Sequence, residues 1–367
     1  MAARHSHLYE YHRVYGKLVE FSGFEMPVWF EGIIPEHNAV RQSVGIFDTS
    51  HMGRVLVTGK DAELLLDSLI TNDLSKTEPM EGLYTVMCNE RGGIKDDLIV
   101  YRLADEKFFT VPNASNREKD HNWIAGHAKG YEVETRDISD DVAMMAIQGP
   151  KAEEVLQKIT SADLAEVKRF RCVETTIGGY NALAARTGYT GEDGFEVFLW
   201  DTPLSQPAKA LEVWNRILLA GKEYRIKPCG LGPRDSLRLE AGLSLYGNDI
   251  DEETNPYEAR ISFVVKLKKK RSFIGKEALE KVNREGVKRL RAGMRMVDKG
   301  IPRHGYEIWK NGQVVGTVTS GGLSPVLGAG IAMGYVPPEF SQLGTELEIK
   351  VRERLLKAIT VKFHPFI

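Results

Sequence analysis

Three short stretches of this 367-residue chain concentrate side chains able to do chemistry. The first reads Gly92-Gly93-Ile94-Lys95-Asp96-Asp97-Leu98-Ile99-Val100-Tyr101. Two adjacent acids sit where a glycine turn enters an apolar strand. Successive strand residues face opposite sides, so one acid points out while Asp97 shares the face of Ile99 and Tyr101. Asp97 is then the acid turned toward a cleft. The same spacing also describes a strand-entry turn with two solvated acids, because Asp favours turns.

The second stretch runs from Arg186 through Thr187-Gly188-Tyr189-Thr190-Gly191-Glu192-Asp193-Gly194 to Phe195-Glu196-Val197-Phe198. Glycines punctuate a polar loop that feeds an alternating strand. Glu196 lies between Phe195 and Val197 and so occupies the face opposite to them. A carboxylate there can accept hydrogen bonds from a donor-rich heterocycle, such as the amino-pyrimidinone edge of a pterin; the plainer reading is an exposed strand acid. The third stretch is Cys229-Gly230-Leu231-Gly232-Pro233-Arg234-Asp235-Ser236-Leu237-Arg238-Leu239-Glu240. Pro233 suits a first helical turn. Arg234 and Arg238, at i and i+4, can share one face, to clamp a carboxylate or polar ring or to pair with Asp235 or Glu240. Taken together, these residues describe a carboxylate-lined, Tyr-containing cleft with an Arg and no evident nucleophile. Such a site binds a reactive organic cofactor and lets the cofactor do the chemistry.

Other chemistries lack their residues. Each Gly-Lys pair is followed by Leu, Asp or Glu, so there is no phosphate-cradling G-x-x-x-x-G-K-[ST]. Gly328-Ala329-Gly330 lacks the third glycine of a dinucleotide fingerprint. The nine His are scattered without metal-ligand spacing. Lys and Arg total 49 against 51 for Asp and Glu, a net charge of −2 that gives no general pull toward nucleic acid or anionic membrane. Cys88, Cys172 and Cys229 lie far apart and read as free structural thiols in a reducing compartment. No apolar run approaches a membrane span and the first twelve residues do not resemble a transit peptide, so the expected location is cytoplasmic.

The elements that must position these residues form mixed strand–helix units. Residues 53–58 and 142–148 read as strands, and so do 97–102, 107–112, 173–187 and 194–200. Helices are expected near 62–71, with Asp61 as N-cap, and near 116–129, 151–160, 207–220 and 275–285. Trp309-Lys310-Asn311-Gly312-Gln313 signals a type I′ hairpin, and from about residue 290 the pattern is that of a small all-β barrel or sandwich. The run Lys266–Arg271 is either a solvated loop or a docking patch for an acidic carrier protein.

Several of these stretches, with others, follow one another in a particular order. They are Gly45-Ile46-Phe47-Asp48-Thr49-Ser50-His51-Met52-Gly53, Thr71-Asn72-Asp73, the Gly92–Leu98 stretch and Asn113-Ala114-Ser115-Asn116. The Gly188–Glu196 loop, Leu231–Glu240, Tyr246-Gly247-Asn248, Phe273-Ile274-Gly275-Lys276 and Thr319-Ser320-Gly321 complete the series. From about residue 8 to the C-terminus the chain resembles the glycine cleavage system aminomethyltransferase (T-protein) family. The resemblance implies an α+β, three-lobed cloverleaf with two interleaved α+β lobes, roughly 1–50 with 137–230 and 51–136 with 231–275. Residues 276–367 would form a C-terminal β-barrel domain.

The resemblance also implies a reaction: an aminomethyl group carried on the lipoylated H-protein is passed to tetrahydrofolate as cosubstrate, giving methylene-tetrahydrofolate and ammonia. Asp97 matches the family's essential carboxylate, which orients the cosubstrate and favours attack by N5. Glu196 matches the acid that holds the pterin edge. Tyr84, Tyr101, Asn113, Tyr189 and Arg234 match residues lining the folate pocket, and Met52 matches a packing residue there. A methanopterin-type analogue presents similar ring edges and suits the same residues. Two alternatives share the fold: a folate-dependent demethylase of a small methylated donor, and a non-enzymatic folate-binding protein of iron–sulfur maintenance. Against the second, Arg186-Thr187-Gly188-Tyr189-Thr190-Gly191-Glu192 has neither the Cys nor the Gln of that group's loop.

Overall fold

Every residue of strand Ala143–Gln148 is buried, which explains its unbroken apolar run. Period-two alternation sends Ala143, Met145 and Ile147 to one face and Met144 to the other. On the first face they meet Val155 and Leu156 of helix Ala152–Gln157 and Val213, Trp214 and Ile217 of helix Ala208–Ala220. On the second face Met144 joins Leu183, Ala185 and Phe198, packed against Tyr101, Leu103, Phe109 and Val111 of another sheet. A helix layer, a sheet and a second sheet therefore stack around this strand.

The structure is a computed structural model and describes residues 3–367; residues 1 and 2 of the N-terminal stretch lie outside the described residues. The chain divides into two units. One comprises Met1–Leu66, Leu74–Tyr84 and Leu98–Arg234, the other Asp67–Asp73, Thr85–Asp97 and Asp235–Ile367. The first unit holds a six-stranded sheet in the order Cys172–Ile177, Tyr180–Ala185, Gly194–Leu199, Ala143–Gln148, Gly45–Asp48, Lys227–Cys229. Its last pair is parallel and the other pairs are antiparallel. A further sheet contains Lys107–Val111, Val55–Thr58 and Glu134–Asp137, next to strand Ile94–Ala104, and Lys17–Phe21 pairs with Phe24–Trp29 in a two-stranded sheet. Lys107–Val111 stops at Pro112, which cannot donate a ladder hydrogen bond.

The second unit contains a closed barrel: Leu290–Met296, Ala329–Val336, Gln313–Ser324, Glu307–Lys310, Glu346–Val351 and Arg354–Val361. Its core includes Met294, Ile308, Val318, Ala332, Val336 and Ile349. The expected hairpin is present, with Asn311 at φ 52° and Gly312 at φ 78°, the two left-handed residues of a type I′ turn. The α+β class with a C-terminal barrel is thus the architecture observed.

Some expectations change. Residues 173–187 are not one strand but a hairpin, turned at Gly178 (φ 57°) and Gly179 (φ 85°), with Ile177 paired to Tyr180. Asp61 stands at the N-cap position, its carbonyl accepting from the Leu65 N–H at 2.9 Å, and its Oδ2 accepts from the Glu132 backbone N–H at 2.8 Å. All three cysteines are free and buried. Among the described residues, no helix is long and apolar enough to cross a membrane.

Candidate functional site

Glu196 is a carboxylate built into a fully buried strand, Gly194–Leu199. Its neighbours on that strand, Phe195 and Val197, join the helix-side core, so Glu196 shares the opposite face with Phe198. Across the ladder it pairs with Ala185 on one side and Ala146 on the other. Two methyl groups leave room beside the acid that larger cross-strand partners would fill.

The carboxylate is held by a short chain of hydroxyls. Thr187 Oγ1 lies 2.6 Å from Glu196 Oε2, and Tyr101 Oη lies 2.9 Å from Thr187 Oγ1. Tyr101 is fully buried between Phe109 and Phe198, with ring centroids 6.2 and 5.9 Å away. A Cβ on Gly82 would come within 2.7 Å of the Tyr101 ring, so glycine is needed for the ring to lie there. Burial pushes the Glu196 carboxyl above the usual carboxylate range, against the opposing pull of the Thr187 hydrogen bond and the Arg234 charge. Burial, with the nearby Glu196 charge, pushes the Tyr101 phenol well above its ordinary value.

The loop after Ala185 is fixed from below. The Gln148 side chain is buried and donates through Nε2 to the Thr187 carbonyl at 3.1 Å, while its Oε1 accepts from Thr190 Oγ1 at 2.9 Å. A Cβ at Gly188 would meet Gln148 Oε1 at 1.9 Å, so only glycine permits this approach. Tyr189, half-buried in the same loop, carries the Arg234 guanidinium over its ring, 4.7 Å from carbon Cζ to the centroid. Burial lowers the Arg234 pKa, while the charges of Tyr189 and Glu196 act in the opposite direction.

Met52 packs against the cluster containing Tyr101. The structure thus brings Met52, Tyr101, Tyr189, Glu196 and Arg234 into one region of the first unit. Tyr84 is half-buried in strand Glu81–Cys88, and Asn113 is half-buried in the turn after Pro112. Asp97 stands half-buried on strand Ile94–Ala104 and belongs to the second unit. On this strand Ile99 and Tyr101 pack in the same cluster. Asp96, however, is not an outward acid: it is 0% exposed. The two arginines do not act as a pair. Arg238 is buried, with Nε 2.8 Å from Asp235 Oδ1, Nη1 2.8 Å from Asp249 Oδ2 and Nη2 2.7 Å from Ser320 Oγ, which makes it a structural bridge.

Three residues of the region escaped the sequence reading: Thr187, Gln148 and His51. Thr187 belongs to the Arg186–Phe198 stretch, but nothing in its spacing tells which way its hydroxyl turns. His51 is buried, edge-on to Phe21 and Phe24. Burial and the Arg234 charge hold its imidazole down at about 3, so it is neutral at ordinary pH and adds no like charge beside Arg234. The neighbouring Asp48 carboxylate accepts from Ser6 Oγ at 2.6 Å and the Ser50 N–H at 2.9 Å, and lies 3.4 Å from His12 Nε2.

Comparison with known proteins bears on the fold and the family. Residues 8–269 match the GCVT N-terminal domain, and residues 289–366 match the glycine cleavage T-protein C-terminal barrel domain. A protein of Clostridium botulinum (strain Kyoto / Type A2) named aminomethyltransferase is 50% identical over 347 residues, 94% of this chain and 92% of the relative. One of Thermoanaerobacter sp. (strain X514), with the same name, is 50% identical over 357 residues, 96% of this chain and 95% of the relative. The crystal structure of the glycine cleavage system aminomethyltransferase T from Bartonella henselae superposes with a TM-score of 0.91 at 34% identity, covering 99% of this chain and 98% of that one. With both family domains matched in order and half of all residues shared along nearly the whole length, the chain belongs to the glycine cleavage T-protein family, a family of enzymes that includes these aminomethyltransferases.

Proposed function

We propose that the chain transfers the one-carbon unit of an aminomethyl group, delivered on a lipoylated H-protein, to tetrahydrofolate. The products are methylene-tetrahydrofolate, ammonia and the reduced lipoyl arm. Family membership supports the reaction class. The observation that supports the cosubstrate is the Glu196 carboxylate: a buried acceptor beside Tyr189 and Arg234, on an aromatic face, with Oε1 taking no hydrogen bond from the described residues. An amino-pyrimidinone edge supplies the donors that such an acid lacks, and those donors would stabilise its ionised form.

Tetrahydrofolate would supply the nucleophilic nitrogen; the chain would supply binding and electrostatics. Glu196 would hold the ring edge, Tyr84 and Tyr189 would stack on its faces, and Arg234 and Asn113 would engage its polar groups. Tyr101 and Met52 would shape the pocket from behind. Asp97 would place a fixed negative charge where positive charge develops during transfer. We place the reaction in the cytoplasm, in keeping with three free, buried thiols.

The test is methylene-tetrahydrofolate formation and ammonia release from an aminomethyl-loaded lipoyl carrier, with and without tetrahydrofolate. Rapid folate-dependent release is expected. Folate binding without release would sink the carrier as donor and leave the demethylase reading in its place.

A further inference from the structure

The direction of the hydroxyl chain behind Glu196 follows from chemistry alone. An ionised carboxylate only accepts, so Thr187 must donate its one proton across the 2.6 Å contact to Oε2. Thr187 Oγ1 can then only accept from Tyr101, whose phenol donates across 2.9 Å. The order is Tyr101 to Thr187 to Glu196, and each bond strengthens the next. Thr187 has little freedom to turn away. It is 7% exposed, its N–H donates to the Ala185 carbonyl at 2.9 Å, and Gln148 holds its carbonyl. As a β-branched residue it is also stiff at χ1. One oxygen of Glu196 is thereby fixed, while the other takes no hydrogen bond from the described residues and is not sealed from solvent.

We propose that Thr187 is a positioning residue of the ligand site, fixing the rotamer of Glu196 so that Oε1 is presented to the ring edge of the bound cosubstrate. Tyr101 acts one step further back, by setting the Thr187 hydroxyl, rather than by touching the ligand. The proposal rests on the reading of Glu196 given above and adds the device that holds it. A threonine serves better here than serine or valine: it combines the donor with a methyl group that restricts rotation.

The experiment measures tetrahydrofolate dissociation constants, alongside KM and kcat, for Thr187→Val, Thr187→Ser, Tyr101→Phe and Glu196→Gln, with melting temperatures as a check on folding. Thr187→Val keeps the shape and loses the donor. It is expected to weaken tetrahydrofolate binding by roughly tenfold, on the scale of a hydrogen bond to a charged group, while kcat at saturation changes by less than about threefold. Thr187→Ser should restore most of the affinity, which a merely structural role would not predict. Tyr101→Phe should give a smaller loss in the same direction, and it carries the test if Thr187→Val does not fold. If Glu196→Gln weakens binding but Thr187→Val and Tyr101→Phe bind as the wild type does, the positioning role is wrong and the reading of Glu196 stands. If Glu196→Gln itself binds normally, the reading of Glu196 is wrong and the positioning role falls with it.

Discussion

The Arg234 guanidinium lies over the Tyr189 ring, Cζ 4.7 Å from the centroid. A planar cation stacked on an aromatic face keeps its edge free for forked hydrogen bonds, which a lysine ammonium cannot reproduce. Arg234→Lys is therefore expected to fold normally and to raise the KM for tetrahydrofolate by roughly tenfold, about 1.4 kcal/mol of lost binding. Steady-state kinetics at saturating carrier measure this. An unchanged KM would mean that the positive charge alone matters there, not the shape of the group.

Asp97 is the acid proposed for the reaction itself. Asp97→Asn keeps the size of the side chain and removes the charge. Turnover should fall by at least about 10²-fold, the usual scale for one acid–base or electrostatic group, with the melting temperature within a few degrees of wild type. Near-normal turnover would remove Asp97 from the chemistry. The adjacent Asp96, at 0% exposure, is the control: its replacement should register mainly as lost stability.

The sequence made Glu196 legible because alternation alone separates it from Phe195 and Val197. The Asn311-Gly312 turn was legible because two left-handed residues in a row leave few other sequences. Thr187, Gln148 and Lys269 were not legible, since each gains its role from a partner distant in the chain. Gln148 meets Thr187 across 39 positions, and Lys269 meets Asp67 across 202. Local patterning reports the face a residue occupies; it does not report what the fold brings to that face. The Glu132 N–H, 71 positions from the Asp61 carboxylate that accepts it, is a partner of the same kind.

Lys269 corrects the reading of the basic run. Rather than lining a solvated loop, it is buried, with Nζ 3.0 Å from Asp67 Oδ1 and 2.9 Å from the carbonyls of Ile70 and Asn72. Lys269→Met would remove this donor from the Asp67 carboxylate and from those carbonyls. A loss of roughly 3 kcal/mol is expected, measurable as a lowered denaturation midpoint with an unchanged slope. A loss below about 1 kcal/mol would show that Arg271, 3.9 Å from Asp67 Oδ2, takes over the charge.

With Lys269 withdrawn, Lys266, Lys268, Lys270 and Arg271 remain exposed. If they steer an acidic carrier, reversing Lys266, Lys268 and Lys270 to Glu should raise the apparent KM for the carrier and slow association most at low salt. The KM for tetrahydrofolate should stay the same. Carrier kinetics that do not respond to either the substitutions or ionic strength would leave the run as a solvated loop.

His51 gives the stability a pH dependence whose sign can be worked out. In the folded chain the imidazole is held at about 3 by burial first, then by the charges of Arg234, Arg54 and His12, with Asp48 acting in the opposite sense; unfolded, it titrates near 6.5. Below pH 6.5 the unfolded chain therefore binds a proton that the folded chain does not. The contribution is fully present above 6.5 and is lost as pH falls toward 3, at up to about 1.4 kcal/mol per pH unit. His12 and His7, also lowered by burial, add slopes of the same sign, so the wild-type curve alone does not isolate His51. The comparison with His51→Asn does, because Asn fills part of the space and does not titrate. Urea unfolding of both proteins from pH 7 to 4.5, above the range where Asp48 protonates, should give a shallower pH dependence for the variant. The cavity it leaves shifts the whole curve but not its slope. Parallel curves would mean that His51 exchanges no proton on unfolding in this range, and that its imidazole is charged in the folded protein beside Arg234.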